Sequence, residues 1–323
     1  MIPYLNLRNQ PRKMPQELLN LSAPLSLFIE PTNFCNFKCQ VCPESLVDFE
    51  EQAGYYQKMS QQTWDLLCGQ LQSWGVQFPV IRFYGMGEPT LNPLLPQMIR
   101  DVRSFGSRTE LTTNGSRLAW QAQTLIYSGL SYVRVSIYGT DDDEYQTATG
   151  SRTGASQILE QVKAFWRTRN FYYDRGELEK KPWLSVSLVS ANPDEATFRK
   201  QYEGVADDLQ VERLHNWGGG DPRLVQIGTP QESRKSPKVC PKPFYELMVR
   251  ADGSVSCCCL DWNGGLLVGN IHQQNLQTIW NGNLLASWHR LHLTGQRSTI
   301  PVCRNCTMID SLPDNMDGLL EVE

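Results

Sequence analysis

Apolar, β-rich runs alternate with stretches of helical periodicity between residues 25 and 215. The six predicted strands are residues 25–30, 80–85, 109–115, 132–139, 184–189 and 209–214. The intervening segments repeat apolar residues every three or four positions, as one face of a helix does. These predicted helices are residues 60–75, 93–105, 117–128, 154–169 and 194–203. Alternating strands and helices predict a parallel α/β architecture with functional residues at the carboxyl ends of the strands. Six units are fewer than the eight of a closed barrel, so we predict a partial (β/α)6 barrel.

The residue pattern changes after position 215. Residues 217–237 are rich in Gly, Pro and Ser, which is typical of a linker. Residues 244–259 predict two short strands joined at Ala-Asp-Gly, a hairpin signal, and LLVGNI predicts a further strand. LQTIW and NLLASWHRLHL predict two short helices, with His289 and His292 on a solvated face. The predicted parts are an N-terminal arm (1–24), the partial barrel (25–215), a linker (216–239) and a small C-terminal α+β domain (240–323).

The composition indicates a soluble protein with one large domain and a small appendage. The chain has 323 residues, of which 40% are hydrophobic. No apolar run approaches the roughly 18 residues of a membrane span, and the N-terminus lacks the apolar core of a secretory signal. A net charge of −4 gives no reason to expect a nucleic acid or an anionic membrane as partner. We therefore expect a cytoplasmic protein.

Ten cysteines are the most informative feature of the composition. In a large chain without a secretory signal, clustered cysteines more often bind metal or carry out redox chemistry than form disulfides. Cys68 stands alone on an apolar helical stripe and is assigned to the core. The others form an early group, Cys35, Cys39 and Cys42, and a late group, Cys240, Cys257, Cys258, Cys259, Cys303 and Cys306.

The early group has the spacing CxxxCxxC and directly follows the first predicted strand. A structural zinc site usually has four ligands, commonly in CxxC pairs. Three thiolates suit a 4Fe–4S cluster whose fourth iron is open to a ligand from outside the protein. We therefore predict such a cluster at this edge of the sheet.

Three further motifs follow the next three strands: GMGEP after the second, TTNG after the third and SIYG after the fourth. In this order, the four motifs resemble the radical S-adenosylmethionine (SAM) superfamily over most of residues 25–215. The resemblance implies that SAM chelates the open iron. It further implies an enzyme that reductively cleaves SAM to a 5′-deoxyadenosyl radical, which abstracts hydrogen from a substrate. A reductant such as flavodoxin or ferredoxin would supply the electron.

The resemblance also assigns roles to individual residues of the SAM site. Glu88 would accept a charge-assisted hydrogen bond from the methionyl ammonium, and Ser136 would reach the ribose or the carboxylate. Ordinary structural hydroxyls are the alternative for Thr113 and Ser136. Met86 departs from the commoner glycine but leaves the Gly87-Glu88 pair intact. The full predicted set is Cys35, Cys39 and Cys42 for iron, and Gly85, Gly87, Glu88, Pro89, Thr113, Asn114 and Ser136 for SAM.

The late cysteine group resembles the C-terminal auxiliary-cluster domains of the same superfamily, called SPASM when long and twitch when short. No cysteine follows Cys306, which implies a single auxiliary 4Fe–4S cluster of the short type. Its implied ligands are Cys240, Cys258, Cys303 and Cys306, and a closed cluster of this kind suits electron transfer. Zinc is the alternative, since two distant pairs also suit that metal. On a strand, Cys257 and Cys259 would share one face and Cys258 the other, so the register at these three residues stays open.

Two substrate classes follow from the resemblance. The first is a ribosomally synthesised peptide, modified by crosslinking, epimerisation or backbone rearrangement or excision, with a separate leader-peptide-binding protein as a possible partner. The alternative is a sugar or aminocyclitol alcohol, oxidised by a dehydrogenase that uses the auxiliary cluster as electron acceptor. The intact motifs disfavour a third class, a non-enzymatic iron–sulfur binding module. The aromatic residues, with nine tryptophans among them, slightly favour the peptide.

Overall fold

The computed structural model describes residues 15–190, 193–212, 216–218, 221, 223–224, 237–312 and 314–320. Most of the predicted N-terminal arm and of the predicted linker lies outside these residues. No helix in the described part of the chain is both long and apolar enough to cross a membrane.

The described strands form one nine-stranded sheet in the order β6-β5-β4-β3-β2-β1-β7-β8-β9. Their bounds are β1 Ser26–Ile29, β2 Val80–Phe83, β3 Arg108–Thr113, β4 Tyr132–Ile137, β5 Trp183–Val189, β6 Asp208–Glu212, β7 Glu246–Val249, β8 Ser254–Ser256 and β9 Leu267–Asn270. All neighbouring pairs among β1 to β6 are parallel. The predicted partial barrel of six strands is therefore confirmed.

The helices of the described part alternate with these strands. They are α1 Pro15–Leu18, α2 Phe49–Ala53, α3 Gln61–Trp74, α4 Leu95–Ser104, α5 Leu118–Tyr127, α6 Asp142–Thr149, α7 Ala155–Asp174, α8 Glu195–Tyr202, α9 Lys242–Tyr245, α10 Leu276–Trp280, α11 Asn283–Leu293 and α12 Pro301–Arg304. The helix predicted to end at residue 169 continues to Asp174, because nothing interrupts it before Gly176, which has a φ of 74°. Short 3-10 helices cover Pro43–Ser45, Pro89–Leu91, Arg297–Thr299, Met308–Ser311 and Asp317–Leu319.

Alternation along each parallel strand gives the sheet two different faces. Residues such as Ile81, Leu111 and Val133 are fully buried in the hydrophobic core with the helices. The residues between them are polar: Arg82 lies beside Glu110 in the register of β2 and β3, and its Nε donates to the Glu110 carboxylate at 2.7 Å. Helices cover the apolar face of the sheet, so the polar face is the one available for a functional site.

The C-terminal part extends the same sheet. β7 pairs in parallel with β1, and β8 and β9 follow in antiparallel order. The predicted hairpin at Ala251–Gly253, the predicted strand at 266–271 and the two predicted short helices are all present. The sequence pattern did not indicate that β7 would join the barrel edge at β1. The early cysteines therefore follow β1, and Cys257, Cys258 and Cys259 of the late group follow β8, the strand on the other side of β7.

Candidate functional site

The early cysteines lie in the loop that follows β1. The backbone N–H groups of Lys38 and Gln40 donate to carbonyls at the end of α6, at 2.8 and 2.9 Å. The carboxylate of the buried Glu44 accepts hydrogen bonds from the backbone N–H of Cys35, the Lys38 ammonium and the Tyr56 hydroxyl. These contacts hold the loop around its three thiols.

All three thiols line one cavity of about 390 Å³. Other predicted site residues line the same cavity: Gly85, Gly87, Glu88, Thr113, Asn114 and Ser136. Pro89 does not line it and instead begins the short 3-10 helix after Glu88. The structure therefore brings together, at the carboxyl ends of β1 to β4, residues that are spread over a hundred positions of sequence.

Burial makes these thiols weak acids in the absence of metal. It raises the pKa of Cys35 and of Cys42 to about 12, and that of Cys39 well above its ordinary value, with a contribution from the neighbouring thiols. Because iron binds the thiolate, cluster assembly would release these protons. Three grouped thiols facing one cavity are a donor set that fits a cluster with an open iron.

Glu88 is buried and held by four hydrogen bonds. Its Oε1 accepts from the backbone N–H and the hydroxyl of Thr90, at 3.0 and 2.6 Å, and from the hydroxyl of Thr113 at 2.7 Å. Its Oε2 accepts from the backbone N–H of Asn114 at 2.7 Å. Burial nevertheless raises the pKa of the carboxyl above its ordinary value. Thr113 therefore orients the Glu88 carboxylate.

The two glycines of GMGEP are required by close packing. A Cβ atom on Gly87 would lie 2.4 Å from the carbonyl oxygens of both Thr32 and Phe34. A Cβ on Gly85 would lie 2.4 Å from Cγ of Glu30. Glu88 N–H also donates to the Phe34 carbonyl at 2.8 Å. The GMGEP loop is therefore packed directly on the loop that carries the cysteines.

Asn114 and Ser136 occupy the rim of the same cavity. The Asn114 side-chain amide donates to Oδ1 of Asn36 at 2.9 Å and lies 3.9 Å from Sγ of Cys35. Ser136 is buried on β4 and faces the cavity. Asn114 therefore contacts the cysteine loop directly, which the sequence motif alone did not indicate.

A charged pair that the sequence prediction missed forms another wall of the cavity. Nη1 of Arg134 on β4 lies 2.5 Å from Oε1 of Glu212 at the end of β6, and each side chain is 28% exposed. The pair spans the intervening strand β5. The sequence held one signal for it: Arg134 lies two residues before Ser136, so both side chains share a strand face.

The C-terminal part completes the cavity. Leu260 and Met308 line it, as does Trp217, whose indole N–H donates to the Val41 carbonyl in the cysteine loop at 2.7 Å. Leu260 directly follows the three adjacent cysteines 257–259. Both cysteine-bearing segments therefore adjoin one space.

Two of the late cysteines, Cys240 and Cys303, contact a histidine. Nδ1 of His292 accepts from the backbone N–H of Cys240 at 3.3 Å, and its Nε2 lies 4.0 Å from Sγ of Cys303. Cys306 follows in the next turn, its N–H bonded to the Cys303 carbonyl at 3.3 Å. The prediction of a solvated face for His292 is wrong, because this side chain is 1% exposed. His289 is also largely covered, stacked on the Phe244 ring at 4.2 Å.

The three adjacent cysteines lie beyond the strand. β8 ends at Ser256, so Cys257, Cys258 and Cys259 occupy the following turn, and the argument from alternating strand faces does not apply to them. All three are buried. Among the residues with described positions, no three His, Cys, Asp or Glu side chains converge closely enough to ligate a single metal ion. In a cubane cluster, by contrast, each thiolate binds a different iron.

Two family models match the chain. A model of the radical SAM superfamily matches residues 29–167, and a model of the SPASM iron–sulfur cluster-binding domain matches residues 240–307. The first match contains the early cysteines and all the motifs of the SAM site. The second contains every cysteine of the late group.

Three curated proteins are similar over about half of the chain. A Fe-coproporphyrin III synthase of Methanosarcina barkeri is 34% identical over 46% of this chain and 37% of its own length. A probable GTP 3′,8-cyclase of Metallosphaera sedula is 32% identical over 57% of this chain and 52% of its own. A PqqA peptide cyclase of Streptomyces rochei is 26% identical over 57% and 50%. The chain thus spans only about half, or less, of these relatives' lengths.

Three solved structures share the fold over most of their length. BtrN in complex with AdoMet and 2-DOIA aligns over 87% of this chain and 92% of its own, with a TM-score of 0.59 and 21% identity. Streptococcus suis SuiB bound to S-adenosylmethionine aligns over 95% and 79%, with a TM-score of 0.62 and 15% identity. Native anSMEcpe with bound AdoMet aligns over 91% and 92%, with a TM-score of 0.61 and 16% identity.

Proposed function

Because the chain belongs to the radical SAM superfamily and carries a SPASM domain, we propose that it modifies a ribosomally synthesised peptide by hydrogen abstraction. The radical SAM domain implies a 4Fe–4S cluster and SAM, and the SPASM domain implies auxiliary iron–sulfur binding. One observation carries the proposal. The early thiols, the GMGEP loop, Leu260 of the SPASM match and the Arg134–Glu212 pair all line the same cavity.

The early cysteines are the proposed ligands of the radical SAM cluster. When bound, the reduced cluster supplies the electron that cleaves a carbon–sulfur bond of SAM. Glu88 is the proposed acceptor for the methionyl ammonium. Its Oε1 is engaged by Thr90 and Thr113, whereas the described contacts give Oε2 one donor, Asn114 N–H. A carboxylate oxygen has two acceptor positions, so Oε2 can take a further N–H.

The late cysteines are the proposed ligands of one auxiliary cluster. Cys240 and Cys303 lie beside His292, Cys306 follows one turn after Cys303, and Cys258 is the proposed fourth ligand. The backbone N–H of its neighbour Cys259 donates to the buried Glu246 carboxylate at 3.1 Å. With four protein ligands the cluster has no open iron, so its proposed task is electron transfer.

The charged pair supports a peptide substrate. A guanidinium donates hydrogen bonds and a carboxylate accepts them, so the Arg134–Glu212 pair is complementary to the carbonyl and the N–H of a peptide unit. Two structures that share the fold are titled with a bound peptide, SuiB with precursor peptide SuiA and anSMEcpe with the Cp18Cys peptide. A relative at 26% identity is named a PqqA peptide cyclase. The proposed partners are the peptide, a leader-peptide-binding protein and a flavodoxin- or ferredoxin-type reductant.

A second candidate is the oxidation of a sugar or aminocyclitol alcohol. The BtrN structure, which aligns over 92% of its own length, is titled with 2-DOIA as a bound compound. The Arg134–Glu212 pair would also bind hydroxyl groups, since a hydroxyl both donates and accepts. In this case the auxiliary cluster would accept the second electron of the oxidation.

The two candidates are separated by following the abstracted hydrogen. The reconstituted protein is incubated with SAM and dithionite, together with either a panel of side-chain- and Cα-deuterated peptides or a deuterated aminocyclitol. We expect deuterium in 5′-deoxyadenosine from the peptides. The product of the matching unlabelled peptide then reports the reaction: loss of two hydrogens for oxidation or crosslinking, unchanged mass for epimerisation, and loss of a larger fragment for excision. Deuterium transferred from the aminocyclitol alone would contradict the proposed substrate class.

A further inference from the structure

Glu30 is a buried carboxylate that no cofactor motif includes. It directly follows β1 and is fully buried. Its Oε2 accepts the backbone N–H of Met86 at 3.0 Å, in the middle of the GMGEP loop. Its side chain also fills the space beside Gly85, where a Cβ atom would lie 2.4 Å from Glu30 Cγ. Glu30 thus fixes the loop from behind, on the side away from the cavity that the loop lines.

The other oxygen of Glu30 is bound by two groups from elsewhere in the chain. Oε1 accepts hydrogen bonds from the Tyr55 hydroxyl and from the backbone N–H of Ala251, the latter at 3.3 Å. Ala251 belongs to the turn between β7 and β8, within the SPASM match. The C-terminal part therefore contacts the support of the GMGEP loop directly.

Arg250 supplies the positive charge of this network. Its Nε donates to the Tyr55 hydroxyl at 3.0 Å, so a chain of hydrogen bonds runs from the guanidinium through the tyrosine to Glu30. The guanidinium carbon lies 4.5 Å from the centre of the Tyr55 ring. Arg250 is 3% exposed. A buried carboxylate is stable only when its charge is balanced and hydrogen-bonded, and Arg250 provides this balance through Tyr55.

The same guanidinium also holds the segment that follows the three adjacent cysteines. Its Nη2 donates to the carbonyl of Trp262 at 3.0 Å and to that of Ala53 at 3.2 Å. Trp262 lies four residues after Cys258. One side chain therefore contacts both the segment that follows the three adjacent cysteines and the support of the GMGEP loop.

From this geometry we infer that Arg250 is a positioning residue for SAM binding, which acts through Tyr55 and Glu30 on the Gly85–Gly87 loop. Arg250, which lies in the SPASM match, thereby contributes to the affinity of the radical SAM domain for SAM without contacting SAM itself. This inference rests on the proposed function, because it takes the GMGEP loop to be the SAM-binding loop.

The test measures the dissociation constant for SAM by anaerobic equilibrium dialysis of the reconstituted protein. We expect Arg250→Met to weaken SAM binding about tenfold while the iron content stays at the wild-type value. Arg169→Met is the matched control, since Arg169 is likewise buried and paired with a carboxylate, that of Asp207, outside the site. This control should change SAM affinity less than twofold.

A double variant distinguishes an effect of Arg250 that passes through Glu30 from a general loss of structural stability. Because Arg250 acts through Glu30, Arg250→Met in a Glu30→Gln background should weaken binding by less than twofold beyond Glu30→Gln alone. Independent, additive losses would overturn the inference, as would wild-type affinity in a folded Arg250→Met protein. If Arg250→Met does not fold, Tyr55→Phe decides, since it removes one hydroxyl: severalfold weaker binding supports the inference and wild-type affinity overturns it. A wild-type protein that does not bind SAM would instead refute the proposed function, and this inference with it.

Discussion

Gly87→Ala is expected to destabilise both the protein and its first cluster. The added methyl carbon would lie 2.4 Å from two backbone carbonyl oxygens, those of Thr32 and Phe34, and 2.7 Å from the carbonyl carbon of Asn33. All three are backbone atoms, so no side chain can rotate away to relieve the contact. The GMGEP loop and the cysteine loop must therefore separate.

The contacts that would be strained or broken give the expected loss in the free energy of unfolding. Overpacking typically destabilises by about 1–3 kcal/mol, and the hydrogen bond from Glu88 N–H to the Phe34 carbonyl adds about 1 kcal/mol when it is lost. We therefore expect a loss of about 2–4 kcal/mol in the free energy of unfolding. Phe34 directly precedes Cys35, so the iron content of the first cluster should also fall.

Gly69→Ala is the matched control. Gly69 is exposed on α3, and a Cβ there would meet no atom within 4 Å. Alanine is the better helix former by about 0.5–1 kcal/mol, so this variant should be slightly more stable than the wild type. Anaerobic urea unfolding followed by tryptophan fluorescence, with iron assayed in parallel, measures both effects. Equal stability and equal iron content in the two variants would refute the packing argument.

Four further predictions concern the two cluster sites and the cavity. Glu88→Gln should weaken SAM binding roughly tenfold to a hundredfold without loss of iron, as expected for a charge-assisted bond worth about 1.5–3 kcal/mol; unchanged affinity in dialysis would remove Glu88 from the site. Burial raises the pKa of Glu88, so the charged carboxylate is present above that raised pKa and is lost as the pH falls through it. The SAM affinity of the wild type, measured by dialysis, should therefore decrease as the pH falls through this range. Glu88→Gln should bind SAM weakly at every pH. Cys303→Ser should stop oxidative product formation while 5′-deoxyadenosine still forms, provided circular dichroism shows a folded protein; normal product yield would argue against electron transfer by the second cluster. Arg134→Met should leave SAM cleavage intact and abolish peptide modification, and full modification measured by mass spectrometry would show that the pair does not bind the substrate.

The barrel was predictable because its signals are local. Each parallel strand carries its own apolar run, and each motif of the site lies at or just beyond the carboxyl end of its strand, so the order of motifs also gives their positions around the cavity. Ser60 illustrates the same locality at a helix start, since its hydroxyl accepts the N–H of Thr63 at 3.1 Å, as serine commonly does at a helix N-cap.

The contacts that join distant parts of the chain were not predictable from these patterns. Glu30 and Ala251 are 221 residues apart, and nothing in either local sequence indicates that β7 will pair with β1 and bring them together. His292 shows the same limit. The spacing of residues along its helix predicts a solvated face for this side chain. In the structure α11 packs against α9, and the ring is buried between Phe244 and the late cysteines.

We propose that the two groups of cysteines hold two separate iron–sulfur clusters and that the cluster of the early group cleaves SAM. The most direct test of this assignment measures iron and 5′-deoxyadenosine in the variant with Cys35, Cys39 and Cys42 all replaced by alanine. Cys68→Ala serves as the control cysteine outside both groups. We predict roughly eight irons in the wild type and in Cys68→Ala, as two cubane clusters require, and about four irons with no 5′-deoxyadenosine in the triple variant. A triple variant that keeps about eight irons, or that still cleaves SAM, would contradict the account.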